Sequence, residues 1–201
     1  MWCPEVEEDA LAIYREADED GSWPIAVGVL VSRLLKTKIV ECRMAGDEEG
    51  TFSWVKGKPQ IAIRAGIRPA RRRWVIGHEL AHWWYEIKGY NAPDLERRCD
   101  ALGAALLVPR KAYPRVVAKV GRSWKAIAAA LDTTQSLVVL RCGECEGTPA
   151  ALVQPHRVIV RGAYPWPDEE AIRALAERRG GGRLRKIAIV DEPNRVALLA
   201  A

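Results

Sequence analysis

Two of the three histidines in this 201-residue chain stand four residues apart, in His78-Glu79-Leu80-Ala81-His82. On an α-helix, residues at that spacing lie one turn apart on the same face. The neighbouring residues ask for a helix. Ile76, Leu80, Trp83, Trp84 and Ile87 follow the rhythm of a stripe packed on a core, and the histidines fall nearly opposite it. Two imidazoles so placed can bind one Zn²⁺, and the glutamate after the first can serve as a general base. A polar face opposite a core stripe is usually solvated surface, and Arg71, Glu79 and Glu86 share this one. Trp74, Val75 and Tyr85 also lie toward the histidines, however, so the helix is apolar around much of its circumference and is covered on several sides. Buried histidines need partners.

The next helical stretch, residues 94–108, supplies them. A catalytic zinc site takes three protein ligands and leaves one position for water. Leu95, Cys99, Leu102 and Leu106 make the core stripe of this helix. Glu96 and Asp100, four apart, form an acidic line on its flank with Gly103 beside them, while Arg97 and Arg98 point elsewhere. Two carboxylates on a mostly apolar helix need cations if they are buried. A metal ion and a histidine N–H would satisfy both, in either order. Gly103, without a side chain, lets the two helices approach closely.

The pattern His78-Glu79-Leu80-Ala81-His82, followed by Glu96-Arg-Arg-Cys-Asp100-Ala-Leu-Gly-Ala-Ala-Leu-Leu-Val-Pro109, resembles the ImmA/IrrE metallopeptidases, zinc proteins of the gluzincin type. It departs from their usual pattern at Cys99 (usually Ala), Leu102 (usually Phe) and Gly103 (usually Ala), all packing positions. The resemblance implies an α+β fold with a zincin-like core: N-terminal helices, a small sheet, the HExxH helix and a second ligand helix. It implies His78, His82 and Glu96 as metal ligands, Glu79 as the catalytic base, and Asp100 as the acceptor that orients a ligand histidine. The expected cofactor is one Zn²⁺ per chain, with Mn²⁺ or another divalent ion as the substitute. An oxyanion donor is expected, with Tyr85, Tyr90 and Tyr113 near in sequence and Tyr85 and Tyr113 carried forward as candidates. The implied activity is that of a narrow-specificity endopeptidase. Its protein substrate would be a helix-turn-helix repressor in a phage, mobile-element or stress-response circuit.

The rest of the chain frames this core. Residues 4–20 read as an amphipathic helix with Val6, Ala10, Ile13 and Ala17 inward, and a second helix opens at Ser22 or Trp23 and runs to about Leu35. Short β-rich stretches at 38–43, 51–55 and 60–64 predict a small sheet. Pro69 begins the histidine helix and Gly89 follows its end. Ser123 and Thr134 are expected N-caps of a helical pair over residues 123–142 with the rhythm of a helix-turn-helix. A recognition helix needs hydrogen-bonding side chains for base edges. This one offers only Gln135, Ser136 and Arg141, so scaffold is the favoured reading and direct nucleic-acid binding the alternative. The predicted boundary places a zincin-like domain at 1–147 and a small α+β appendage at 148–201. That appendage has strands at 151–154, 157–161, 184–190 and 195–199, a helix from 167 or 168 to 179, and a hairpin turn at 191–194. The glycine run 180–182 reads as a joint rather than a phosphate loop.

Charge and cysteines narrow the setting. The net charge is +5, yet residues 1–20 carry eight acids and one arginine, which leaves the remainder strongly basic. A basic body can attract nucleic acid or an acidic partner, and this keeps a non-enzymatic zinc-containing regulator, binding DNA or a protein, as the alternative function. Five cysteines without regular spacing argue against a disulfide framework. Cys142 and Cys145 make a CxxC whose only nearby histidine is His156, short of the four ligands of a structural zinc site. No apolar run approaches the ~20 residues of a spanning helix, and the acidic start lacks the form of a signal peptide. A cytoplasmic location without membrane partners is the expectation.

Overall fold

The computed structural model describes residues 4–146, 150–153, 158–161, 187–192 and 195–200, with positions 170, 172 and 174. The chain is α+β and divides into two compact units, one spanning Cys3–Thr134 and the other beginning at Gln135.

The first unit is built around helix α3 (Pro69–Ile87), which packs on α4 (Leu95–Leu107). Pro69 occupies the first turn of α3, where its missing N–H costs nothing. At the other end Gly89 takes a positive φ of 67°. There the Gly89 N–H donates to Glu86 O and the Tyr90 N–H to Tyr85 O, the paired bonds of a Schellman stop. The predicted stripe holds at Ile76, Leu80, Trp83 and Trp84, all buried, whereas Ile87 in the last turn is 49% exposed. Val75 and Tyr85 are buried too, so the helix is covered on several sides, as its composition requires.

Helix α1 (Pro4–Glu16) lies against α4 and buries Val6, Ala10, Ile13 and the following Ala17, the predicted inward set. The Tyr14 hydroxyl donates to Leu106 O at 2.7 Å, and Asp9 accepts from Trp84 Nε1 at 2.9 Å and from Lys88 Nζ at 2.6 Å. The acidic N-terminal stretch is thereby tied to both α3 and α4. Helix α2 (Val27–Leu35) starts later than the sequence suggested. The Ile25 carbonyl just before it accepts from the Val27 N–H and from the Arg73 guanidinium, so this stretch is shaped by tertiary contacts.

Strands β1 (Val40–Cys42), β2 (Gly50–Val55) and β3 (Lys58–Arg64) form a mixed sheet in the order β1-β3-β2. β1 runs parallel to β3, and β2 antiparallel to it. The β2–β3 hairpin closes through Lys56 and Gly57, both at positive φ, which suits the right-handed twist of the strands. β2 is an edge strand, and it packs on α3. Beyond α4, helix α5 (Tyr113–Val120) is an element the sequence pattern did not reveal. Helix α6 (Trp124–Ala130) starts at Ser123, whose Oγ accepts the Ala126 N–H as expected of a cap.

The second unit holds α7 (Gln135–Glu146) and strands β4 (Ala150–Val153), β5 (Val158–Arg161), β6 (Ile187–Glu192) and β7 (Arg195–Ala200). The sheet is antiparallel throughout, in the order β5-β4-β6-β7, and α7 packs on it. α7 runs past Arg141 through the CxxC residues. Arg141 is buried and bonded to Glu144 at 2.6 Å, so it does not serve the outward reach considered for it. Cys142 is buried and Cys145 is half-buried on this helix. Glu170, Ile172 and Ala174 are helical. The rest of the expected 167–179 helix, the glycine run, the 193–194 turn residues, His156 and Cys3 lie outside the described residues. Among the described residues, no helix is long and apolar enough to cross a membrane.

Candidate metal centre

The helical spacing brings His78 and His82 together, with their Nε2 atoms 3.1 Å apart and their rings edge to face. From α4, Glu96 reaches across to both. Its Oε2 lies 3.4 Å from His78 Nε2 and its Oε1 3.3 Å from His82 Nε2. One ligand atom from each of these residues falls within 4.8 Å of the others. Ligand bonds of ~2.0–2.1 Å in a tetrahedron set neighbouring donors roughly 3.3 Å apart, so this donor set fits a zinc-like divalent ion.

Asp100, one turn further along α4, is placed differently. Its Oδ1 lies 3.1 Å from His78 Nδ1, on the far side of the ring from Glu96. That nitrogen is buried and has no better partner among the described residues, so Asp100 is the group positioned to accept its proton. Burial disfavours the charged ring at His78, but the Asp100 hydrogen bond and the charges of Glu79, Asp100 and Glu96 outweigh it and raise the pKa. At His82, burial and the neighbouring His78 charge prevail and the pKa falls. Trp74 covers the His78 ring at 5.2 Å and is itself capped by the Arg71 guanidinium.

Glu79 is 7% exposed and lines the same cleft, about 640 Å³ in volume, as the two histidines and Glu96. Burial pushes its carboxyl up to about 6, although the His78 charge and a hydrogen bond from the Phe52 backbone N–H favour ionisation. A carboxyl tuned toward neutrality is suited to take up and release protons near pH 7.

Two pairs of close approaches set this geometry. A Cβ added to Gly103 would stand 3.0 Å from His78 N and 3.2 Å from Gly77 C. The predicted role of Gly103 in closing the helices is therefore met, with Gly77 as the unforeseen other half. A Cβ on Gly50 would stand 2.4 Å from Val75 Cγ1 and 2.9 Å from Glu79 Oε1, so this glycine brings β2 down onto Glu79. A glycine in a helix interior costs roughly 1 kcal/mol against alanine, and that was the available sequence signal for Gly77. The contribution of Phe52 is a backbone N–H and leaves no trace in residue identity.

The structure does not bring Tyr85 or Tyr113 to the cleft. Both are buried, and neither lines it. Burial and the Asp9 charge push the Tyr85 pKa up, consistent with a phenol turned into the packing. Tyr90 does line the cleft, with its hydroxyl donating to Asp94 at 2.6 Å. Cys99 is buried beneath the site, and its thiol pKa is raised by that burial.

A mixed sheet packed on a helix that carries two histidines, with an acid from the next helix facing them, defines a zincin-like α+β domain with a candidate metal site. The family model of the IrrE N-terminal-like domain, peptidase family M78, matches residues 33–136, just over half of the chain, and the chain belongs to that family. Among solved structures, the chain is similar in fold to a Mycobacterium tuberculosis transcriptional regulator, with a TM-score of 0.60 and 12% sequence identity. That likeness covers 82% of this chain and 57% of the regulator, so the chain spans little more than half of that protein's length. No curated protein sequence matches the chain.

Proposed function

We propose that the protein is a metal-dependent endopeptidase of narrow specificity, with His78, His82 and Glu96 as ligands and zinc as the ion. The observation that carries this reading is the placement of Glu79, a buried carboxyl on the cleft beside the three side chains that could hold an ion. A divalent ion held there supplies Lewis-acid activation of water and of a carbonyl. Glu79 takes the proton from the attacking water on a carboxylate oxygen and returns it to the departing amine. The Phe52 N–H keeps that carboxylate aimed into the cleft. Asp100 holds the His78 ring through Nδ1, which leaves Nε2 toward Glu96, where it would serve an ion held there. Tyr90, rather than Tyr85 or Tyr113, is the tyrosine that lines the cleft.

Gly50, Thr51 and Phe52 place the edge strand β2 along the cleft, and an edge strand can receive an extended polypeptide. This favours a protein chain as substrate. By family likeness, we take that chain to be a helix-turn-helix repressor encoded nearby. The test is co-expression of the neighbouring regulator with wild type or Glu79→Gln, followed by mass spectrometry of the regulator. Cleavage by wild type alone, with metal retained in both, is expected. An intact regulator in both cases favours the second reading, a non-enzymatic regulator. That reading draws on the name of the structural neighbour and on the basic charge of the chain.

A further inference from the structure

Glu86 lies one turn beyond His82 on α3, on the same side of the helix as the ligand histidines, and it lines the cleft. Its carboxylate is held across the cleft wall by the Trp54 indole, which donates from Nε1 to Glu86 Oε1. Phe52 packs edge to face on Trp54 at 5.9 Å. Strand and helix thus fix an acid against an aromatic wall. The indole is a neutral donor, and Glu86 has no ion pair among the described residues. Among the described residues, no lysine or arginine lines the cleft. A divalent ion held by His78, His82 and Glu96 would offset the charges of Glu96 and Glu79, and the exposed Glu86 would then be the remaining acid on the wall.

We infer that Glu86, positioned by Trp54, selects substrates that carry a lysine or arginine close to the scissile bond. The inference rests on the peptidase reading and names its substrate class. The helix rises ~1.5 Å per residue, which puts the Glu86 backbone roughly 9 Å from the midpoint of the histidine pair. An extended chain advances ~3.3–3.6 Å per residue, so the basic residue falls within about three positions of the cleaved bond. Its alkyl stem lies along Phe52 and Trp54 while its charged head meets Glu86. Trp54 is 48% exposed, an open aromatic face that such a stem would cover.

The experiment has two arms. The first incubates the zinc-loaded protein with peptides made by cutting a bacterial extract after glutamate, so that lysine and arginine remain internal, and reads the cut bonds by mass spectrometry. Wild type is expected to enrich basic residues within about three positions of the cut. Glu86→Gln should reduce that enrichment by about two- to five-fold, as for an exposed ion pair, and Glu86→Lys should invert it toward acidic residues. Trp54→Phe keeps the charge and removes the donor, and it should lose part of the enrichment. The second arm measures binding of a fluorescent alanine-rich peptide with one arginine, against the same peptide with leucine, to zinc-loaded Glu79→Gln. The arginine peptide should bind more tightly at low salt, and Glu86→Gln added to this variant should remove the difference. Cleavage without basic preference, or a preference that survives Glu86→Gln, overturns the inference and leaves the peptidase reading standing. No cleavage of these peptides by wild type, together with Glu86-dependent binding, keeps the selectivity, and the peptidase reading is then decided by the co-expression test. Neither cleavage nor arginine-selective binding overturns the inference.

Discussion

Gly77 of α3 and Gly103 of α4 face each other where the two ligand-bearing helices come closest: a Cβ on Gly77 would lie 3.4 Å from both Gly103 Cα and Gly103 O. His78 adjoins this crossing and Glu96 faces it from the other helix, so the separation of the helices sets the distance between the two side chains. Gly103→Val would drive a branched side chain into the His78 backbone. The expected cost is about 1–3 kcal/mol of stability from overpacking, with a fall in metal affinity measured by competition against a chromophoric chelator. Unchanged affinity would show that the helix spacing does not govern the site.

The two carboxylates of α4 should differ in kind. Glu96→Ala removes a ligand and should abolish tight metal binding. Asp100→Asn leaves all three ligands in place but weakens the hold on His78 Nδ1, and it should lower metal affinity by about 10- to 100-fold. Titration of both variants with zinc separates the roles. An order in which Asp100→Asn is the more damaging would exchange them.

The pH dependence of the metal-free protein follows from Glu79. Its folded pKa is raised from 4.5 to about 6, so the folded state holds a proton that the unfolded state has released. The stability contributed by protonated Glu79 is full below about pH 4.5 and is lost as pH rises through about 6, a change of about 2 kcal/mol. Urea unfolding of the metal-free protein from pH 4 to 7 should show this loss as a difference between wild type and Glu79→Gln. Parallel curves would contradict it.

The N-terminal acids also have a structural part. Asp9 accepts from the Trp84 indole and from Lys88. Asp9→Ala leaves a buried indole N–H unsatisfied, and about 1–3 kcal/mol of stability should be lost in thermal or chemical unfolding. An unchanged midpoint would return this acid to the solvated surface.

Much of this was legible in the residues because helical periodicity is a local property. The spacing of His78 and His82, the stripes of α1 and α3, the acids Glu96 and Asp100, and the glycine at 103 each announce a face. The three strands and the Ser123 cap were readable for the same reason. Other features depend on tertiary contacts that no local pattern encodes. The late start of α2 follows from Arg73 reaching the Ile25 carbonyl. The burial of Arg141 depends on what packs against its face of α7, and the pairing with Glu144 one turn on offsets the buried charge. Tyr85 shares the histidines' side of α3 by spacing and Tyr113 is near in sequence, yet both are packed away from the cleft, because burial depends on what lies against each face. The approach of β2 to Glu79 rests on Gly50, whose reason is an absent side chain meeting a residue 29 positions away.

The most direct test of the metal centre is the metal content of the purified protein, measured by mass spectrometry of the native chain after exposure to zinc and removal of loose ions. Wild type and Glu79→Gln are expected to carry one divalent ion per chain, and His82→Ala and Glu96→Ala none. A wild-type chain without bound metal, or full occupancy in His82→Ala, would contradict the assignment.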